Sequence, residues 1–336
     1  MDYRTQKITI PDFTTLCGDK LLAPEACYTM YGDFDVDKKI ALIFHGFSSN
    51  SELHTWWEKF KFDRLLDTYN IICINSLGSS YGTTGPESIN PITKAPYFQS
   101  FPQITIQDTV NFSVETLKTL NIEKVDIAFG CSLGGMQILD MFLRYPEVSD
   151  KFVSVAGVPV PYMTKLINLA QARLIDQANN GSRTALESAL GHSRFFFRLF
   201  CTTEDALKIL NDKRNQGNNN RDLDTLESYF VEDNLKFQTQ FSPYSNSLYL
   251  KLIANFGLPE IKPLHLSNNH LQSKLLLVSI ENDLFTPDKY IKSLFNIFRN
   301  KGYSVDLREF DTKYGHEAWI VDGERFYEFI EKYLHS

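Results

Sequence analysis

Ser132 sits in the run AFGCSLGGMQ (residues 128–137), with a glycine two positions to either side of it. Gly130-Cys131-Ser132-Leu133-Gly134 matches the G-x-S-x-G nucleophile elbow, a tight strand-to-helix turn that lifts a hydroxyl clear of the backbone. Small residues are needed there because strand and helix crowd each other, and the serine backbone is strained. The competing reading is a plain glycine-rich turn or a phosphate loop, but no Lys-Ser/Thr follows as a Walker loop requires. A bare serine is a weak nucleophile and needs a base, which in turn needs an orienting acid. Where this elbow occurs, the chain order is Ser, then Asp or Glu, then His. His316, in YGHEAW, follows the last strand-like run and is the expected base; His265 and His270 lie in a connecting stretch, and His335 is next to last. The segment VSIENDLFTPD (278–288) offers Glu281, Asp283 and Asp288 as the acid, and Asp283 is favoured because Pro287 opens the next helical segment. The negative charge that develops during acyl transfer needs two backbone donors. Leu133 N–H, at a helix start, is one; Phe47 N–H, in FHGFSSN (44–50), is the other, with His45 read as structural.

These residues must be brought together by the elements that carry them. Residues 5–10 and 25–31 read as an opening pair of strands. Residues 40–45, 70–75, 124–129 and 152–156 are short apolar runs of the kind that suit strands covered on both faces, and the strand rhythm returns at 273–280 and 303–310. Residues 105–120 show helical spacing with Thr105 as N-cap, and residues 133–144 form a helix that stops before Tyr145-Pro146. From 161 to 262 the strand rhythm is replaced by helical patterns such as MTKLINLAQARLIDQ, with a polar surface loop expected at 211–222. This alternation predicts a doubly wound, mostly parallel sheet: an α/β core of residues 1–160 and 263–336, with 161–262 inserted as a helical cap. In such a sheet Ser132, Asp283 and His316 each fall at the carboxyl end of a strand, which makes an α/β-hydrolase fold the expected architecture.

Composition narrows the function from the other side. A net charge of -7 leaves no basic excess for nucleic acid. No run approaches the roughly 18 apolar residues of a membrane span. The opening MDYRTQKITIPDF has no apolar segment of the secretory kind, so a cytoplasmic protein is expected. The five cysteines are widely spaced with no CxxC, which predicts free thiols rather than disulfides or a metal site.

One long segment, residues 75–110, is rich in Gly, Ser, Thr and Pro. Together with the elbow it resembles the homoserine O-acetyltransferase family. The likeness runs through Gly78, Gly82-Thr83-Thr84-Gly85-Pro86, Asn90-Pro91, Pro96-Tyr97, Phe101-Pro102 and Ile106-x-Asp108, then through Gly130 to Gln137. LESYFVEDNLKF (226–237), NSLYL (246–250) and Gly315-His316 extend it, and it is weakest over 175–220. The resemblance implies ping-pong acyl transfer: Ser132 takes an acetyl group from acetyl-CoA, and His316 then activates the hydroxyl of homoserine or a similar amino acid. Acetyl-CoA would be a co-substrate with no permanently bound cofactor, in methionine biosynthesis, and a homodimer through the cap is expected. The chain departs from the family where Glu317 replaces an aspartate held to bind the substrate amine. It departs again at the cap arginine that meets the substrate carboxylate: Arg173 is nearest but shifted by one position, with Arg194 and Arg198 as alternatives. The same triad would also serve an esterase or thioesterase if the cap failed to exclude water. A succinyl donor stays open.

Overall fold

Residues 2–34, 38–179, 181–215, 224–264 and 273–335 are described by a computed structural model. β1 (Tyr3–Thr9), the two-residue strands β2 (Phe13–Thr14) and β3 (Lys20–Leu21), and β4 (Glu25–Tyr31) open the chain. They are followed by β5 (Lys39–Phe44), β6 (Tyr69–Ile74), α1 (Ile106–Thr119), β7 (Val125–Cys131), α2 (Leu133–Arg144) and β8 (Ser149–Val155). Five helices come next: α3 (Tyr162–Ala178), α4 (Arg183–Cys201), α5 (Glu204–Asn215), α6 (Asp224–Gln240) and α7 (Pro243–Asn255). The sheet then resumes with β9 (Lys274–Ile280), α8 (Asp288–Asn300) and β10 (Val305–Phe310), and the chain closes on α9 (Ala318–Val321) and α10 (Gly323–Leu334).

The main sheet has the order β1-β4-β6-β5-β7-β8-β9-β10. β1 and β4 are antiparallel to each other, as is β4 to β6; every other neighbouring pair is parallel. The inner strands β5, β6 and β9 are apolar at most successive positions because both faces are covered, whereas the edge strand β10 carries Asp306, Arg308 and Glu309. Leu42, Phe44, Ile72, Ile74, Ala128 and Leu277 face one core, shared with Val110 and Val114 of α1, Met136 and Leu139 of α2, and Leu294 and Phe298 of α8. Ala41, Ile43, Ile71, Phe129, Val153 and Val278 face the other, shared with Trp57, Phe60 and Phe62, and with Phe326 and Ile330 of α10. Each Val, Leu, Ile, Phe or Met among them contributes about 1.5–3 kcal/mol on burial, so register is strongly held: a one-residue slip would exchange the two faces.

α1 starts at the expected N-cap. Thr105 Oγ1 accepts from Asp108 N–H, and the Asp108 carboxylate accepts from Thr105 N–H, a reciprocal capping box. The long segment before it is tied to the core: Thr83 Oγ1 accepts from Cys27 N–H and donates to the Asn75 carbonyl. Of the polar stretch expected as a loop, residues 211–215 belong to α5 and 216–223 lie outside the described residues, as do His265 and His270. All five cysteines are free thiols; only Cys17 is exposed.

Candidate active site

β7 runs straight into the elbow. Ser132 adopts φ +57° and ψ −119°, a conformation that costs an L-residue of order 1–3 kcal/mol. It is held by Ser132 N–H donating to the Val155 carbonyl at 2.8 Å and by Met136 N–H donating to the Ser132 carbonyl at 2.9 Å, the first bond of α2. The flanking glycines are required by backbone. A Cβ on Gly130 would strike the Gly134 peptide, one on Gly134 the Phe44 carbonyl, and one on Gly135 the Val155 carbonyl and Gly157. α2 is therefore packed directly on the ends of β5 and β8.

The next two groups come from the ends of β9 and β10. Three residues beyond β9, Asp283 Oδ1 accepts from the Phe285 and Thr286 N–H groups, both at 2.8 Å, and its Oδ2 accepts from Thr286 Oγ1 at 2.8 Å. His316 follows Gly315, whose φ of +65° turns the chain back over the sheet edge. His316 Nδ1 donates to Asp283 Oδ2 at 2.7 Å, and Ser132 Oγ donates to His316 Nε2 at 2.7 Å. Because a carboxylate only accepts, the imidazole proton sits on Nδ1 and Nε2 is left free to take one. Burial works to raise the Asp283 carboxyl, but His316 and the Thr286 donors outweigh it and hold the group below the usual carboxylate value. Glu281, by contrast, is exposed and turned to Asp311, and Asp288 pairs with Lys292 in the first turn of α8. Of the three candidate acids, Asp283 alone reaches the imidazole.

Phe47 lies three residues beyond β5, and Leu133 opens α2, whose Gly134 packs against the Phe44 and His45 carbonyls. Among the described residues neither backbone N–H has an acceptor. His45 is wholly buried; its Nδ1 donates to the Gly46 carbonyl at 2.8 Å and its Nε2 accepts from Ser76 N–H at 3.1 Å. Both ring nitrogens are engaged, and burial lowers the imidazole pKa to about 4, so His45 is no rival to His316 as a base.

A roof of cap helices closes the site. Ser132, Asp283 and His316 are only 3%, 3% and 2% exposed. Phe285 lies against the His316 ring at 4.8 Å, Phe197 of α4 against Phe285 at 5.4 Å and against Phe47 at 4.9 Å. Thr164 of α3 donates to the Phe285 carbonyl at 3.1 Å, and Tyr249 of α7 to the Ser76 carbonyl at 3.0 Å. The structure does not bring Arg173 to this place. The face of α3 that packs inward carries Thr164, Asn168, Gln171, Ala172 and Ile175; Arg173 falls one step of about 100° beyond Ala172 and is exposed. Among the described residues, the arginines that reach the site come from α4. Arg198 pairs with Glu317, the residue after His316, and donates to Tyr229 Oη at 2.9 Å. Arg194 donates to Asp233 at 2.9 Å and to Ser48 Oγ, beside Phe47, at 3.3 Å. Glu317 is thus already matched by a cation 119 residues away, a pairing that no local sequence signal announces.

With this geometry in place, likeness to known proteins becomes informative. A family model described as alpha/beta hydrolase fold matches residues 41–321. The homoserine O-acetyltransferase of Haemophilus influenzae is 30% identical over 341 residues, covering 93% of each chain. The chain belongs to the homoserine O-acetyltransferase family. A second relative of that name, from Methanococcus vannielii, is 29% identical and covers 98% of this chain and 72% of its own length. Among solved structures, the homoserine O-acetyltransferase of Bacillus anthracis superposes with a TM-score of 0.82 at 20% identity, covering 98% of both chains. Esterase E22 superposes with a TM-score of 0.83 at 21% identity, covering 99% of this chain and 100% of its own. At those identities the superpositions establish the fold. The family relation makes the protein an enzyme of the acyltransferase class on an α/β-hydrolase fold.

Proposed function

We propose that the protein transfers an acetyl group from acetyl-CoA to the hydroxyl of homoserine, or of a similar amino acid, through an acyl-enzyme on Ser132. The observation that carries the reading is the unbroken relay from Asp283 through His316 to Ser132; the Phe47 and Leu133 N–H groups, which have no partner among the described residues, are free to serve as its oxyanion donors. In the first half-reaction His316 Nε2 takes the Ser132 proton as Oγ attacks the thioester carbonyl. Asp283 stabilises the imidazolium, and the Phe47 and Leu133 N–H groups receive the oxyanion. Collapse of the tetrahedral species expels the thiol of CoA, which leaves with the proton from His316. In the second half-reaction His316 deprotonates the acceptor hydroxyl, which attacks the ester; the Ser132 oxygen leaves and is reprotonated.

Transfer rather than hydrolysis is favoured by the roof. Helices α3–α7 act as a cap whose Phe197, with Phe47 and Phe285, keeps bulk water from the buried serine and imidazole. A zwitterionic acceptor suits the Arg194, Arg198, Asp233 and Glu317 group, which carries both signs of charge beside the His316 loop. Arg198 or Arg194, in place of Arg173, would then meet the acceptor carboxylate. On this reading the enzyme works in the cytoplasm, in methionine biosynthesis, with neither a metal nor a resident cofactor. CoA release followed with a thiol reagent, with and without homoserine, tests it. Release that depends on the amino acid supports transfer. Equal release without it makes the protein a thioesterase.

A further inference from the structure

The peptide joining Gly46 to Phe47 has two ends, and each has a job. Its oxygen accepts the 2.8 Å hydrogen bond from His45 Nδ1, while its N–H is the Phe47 amide, which has no acceptor among the described residues and is the oxyanion donor of the proposed reaction. A trans peptide is planar, so its C=O and N–H point in opposite directions and turn together. Whatever holds the Gly46 oxygen therefore aims the Phe47 hydrogen. The peptide needs holding because residue 46 is glycine, whose backbone resists rotation least. Nor is there room for a stiffer residue: a Cβ on Gly46 would meet the Trp319 ring at 3.0 Å. Among the described residues the one other bond to the Gly46 oxygen, from Ser49 N–H, is longer at 3.3 Å.

We propose that His45 is a positioning residue: its Nδ1–H pins the Gly46 carbonyl and so fixes the Phe47 N–H as an oxyanion donor. The second ring nitrogen makes this a defined setting rather than a chance contact. Nε2 accepts from Ser76 N–H at 3.1 Å, so the proton can only sit on Nδ1, where the Gly46 oxygen needs it. Ser76 lies just beyond β6, and its carbonyl is tied to Tyr249 of the cap. His45 thus references the oxyanion peptide to the neighbouring strand. The burial that keeps the ring neutral preserves this tautomer throughout the neutral range.

The inference rests on the acyl-enzyme reading of Ser132, and the test separates the two. The probe is p-nitrophenyl acetate with the full chain, followed by the rapid release of p-nitrophenol. In His45→Asn the amide NH₂ falls near the place of Nδ1 and can still donate to Gly46. In His45→Gln the amide reaches the place of Nε2 and leaves Gly46 unheld. The expected result is acylation slowed by roughly 10²–10³ in His45→Gln, the loss of one oxyanion donor, with KM within about threefold. His45→Asn should stay within about tenfold of the parent. Equal rates in parent and His45→Gln, or equal slowing in both variants, overturn the role of His45. Absence of any acylation in the parent overturns the reading of Ser132, and this inference with it. Should neither variant fold, ¹⁵N spectra of the parent's histidines decide: a neutral Nδ1–H ring at His45 supports the proposal, and an Nε2–H ring overturns it.

Discussion

The floor and the roof of the site are built on different terms. In the floor, every group sits just past the element that delivers it: Ser132 after β7, Asp283 three residues beyond β9, His316 six beyond β10, Phe47 three beyond β5. In the roof, position depends on partners from elsewhere in the chain. Arg198 is set by Glu317, Tyr229 and Asp233, and Arg194 by Asp233 and Ser48. The floor therefore inherits its geometry from strand order, which tolerates little variation. The roof is free to change with helix phase and side-chain pairing. On the proposed reading chemistry belongs to the first and acceptor choice to the second, and experiments can attack that division directly.

The largest effect should come from the floor. Ser132→Ala is expected to lose acylation by about 10⁶-fold, as for nucleophiles in comparable triads. Mass spectrometry after incubation with acetyl-CoA should show no acetyl adduct, and an undiminished adduct would refute the assignment. Arg198→Ala probes the roof. It leaves Glu317 half-enclosed without its cation, since the two side chains are only 17% and 14% exposed. The acceptor KM should rise tenfold or more, about 1.4 kcal/mol, with acylation by acetyl-CoA changed less than threefold. Equal losses in both half-reactions would erase the distinction between floor and roof.

Smaller effects sharpen the comparison. Gly134→Ala forces a methyl group into the Phe44 carbonyl and should destabilise the fold by about 1–3 kcal/mol or more, measured by denaturant unfolding. Asp283 makes a pH-dependent contribution whose sign is determined by its lowered carboxyl pKa. The unfolded chain takes up this proton near pH 3.9, the folded chain only at lower pH. The resulting stabilisation is complete above the unfolded value and fades as pH falls through the folded one. Relative to the parent, Asp283→Asn should therefore lose stability at pH 7 and regain part of that deficit towards pH 3. Unfolding curves at several pH values would show a constant difference if the carboxyl pKa were unshifted. The smallest effect is expected at Arg173. Exposed on α3 and apart from the site, Arg173→Ala should alter stability by less than about 0.5 kcal/mol, and a marked rise in acceptor KM would return it to the binding surface.

Much of the floor was legible in the chain. The apolar runs located β5, β6, β7, β8 and β9 to within a few residues, because a strand covered on both faces has few polar positions to blur the signal. The elbow glycines announced α2 to the residue, since nothing larger fits against the Phe44 and Val155 carbonyls. Asp283 could be preferred over Glu281 and Asp288 because the start of α8 at Pro287 leaves only a short loop to hold it. Arg173 shows where such reading fails. It is the next residue after buried Ala172, and helical periodicity alone does not say which way a helix faces when its polar and apolar residues are mixed, as in α3.

Local pattern alone determined which groups are available and in what order, because steric demand at the elbow and burial at the strands act over a few residues. Tertiary structure decided what each group touches. His45 holds the Gly46 carbonyl with its other ring nitrogen taken by Ser76 N–H, Trp319 crowds Gly46, and Glu317 is matched to Arg198 because α4 crosses the His316 loop. Those contacts arise between segments far apart in the chain, where the energy depends on orientation and distance that no local spacing encodes.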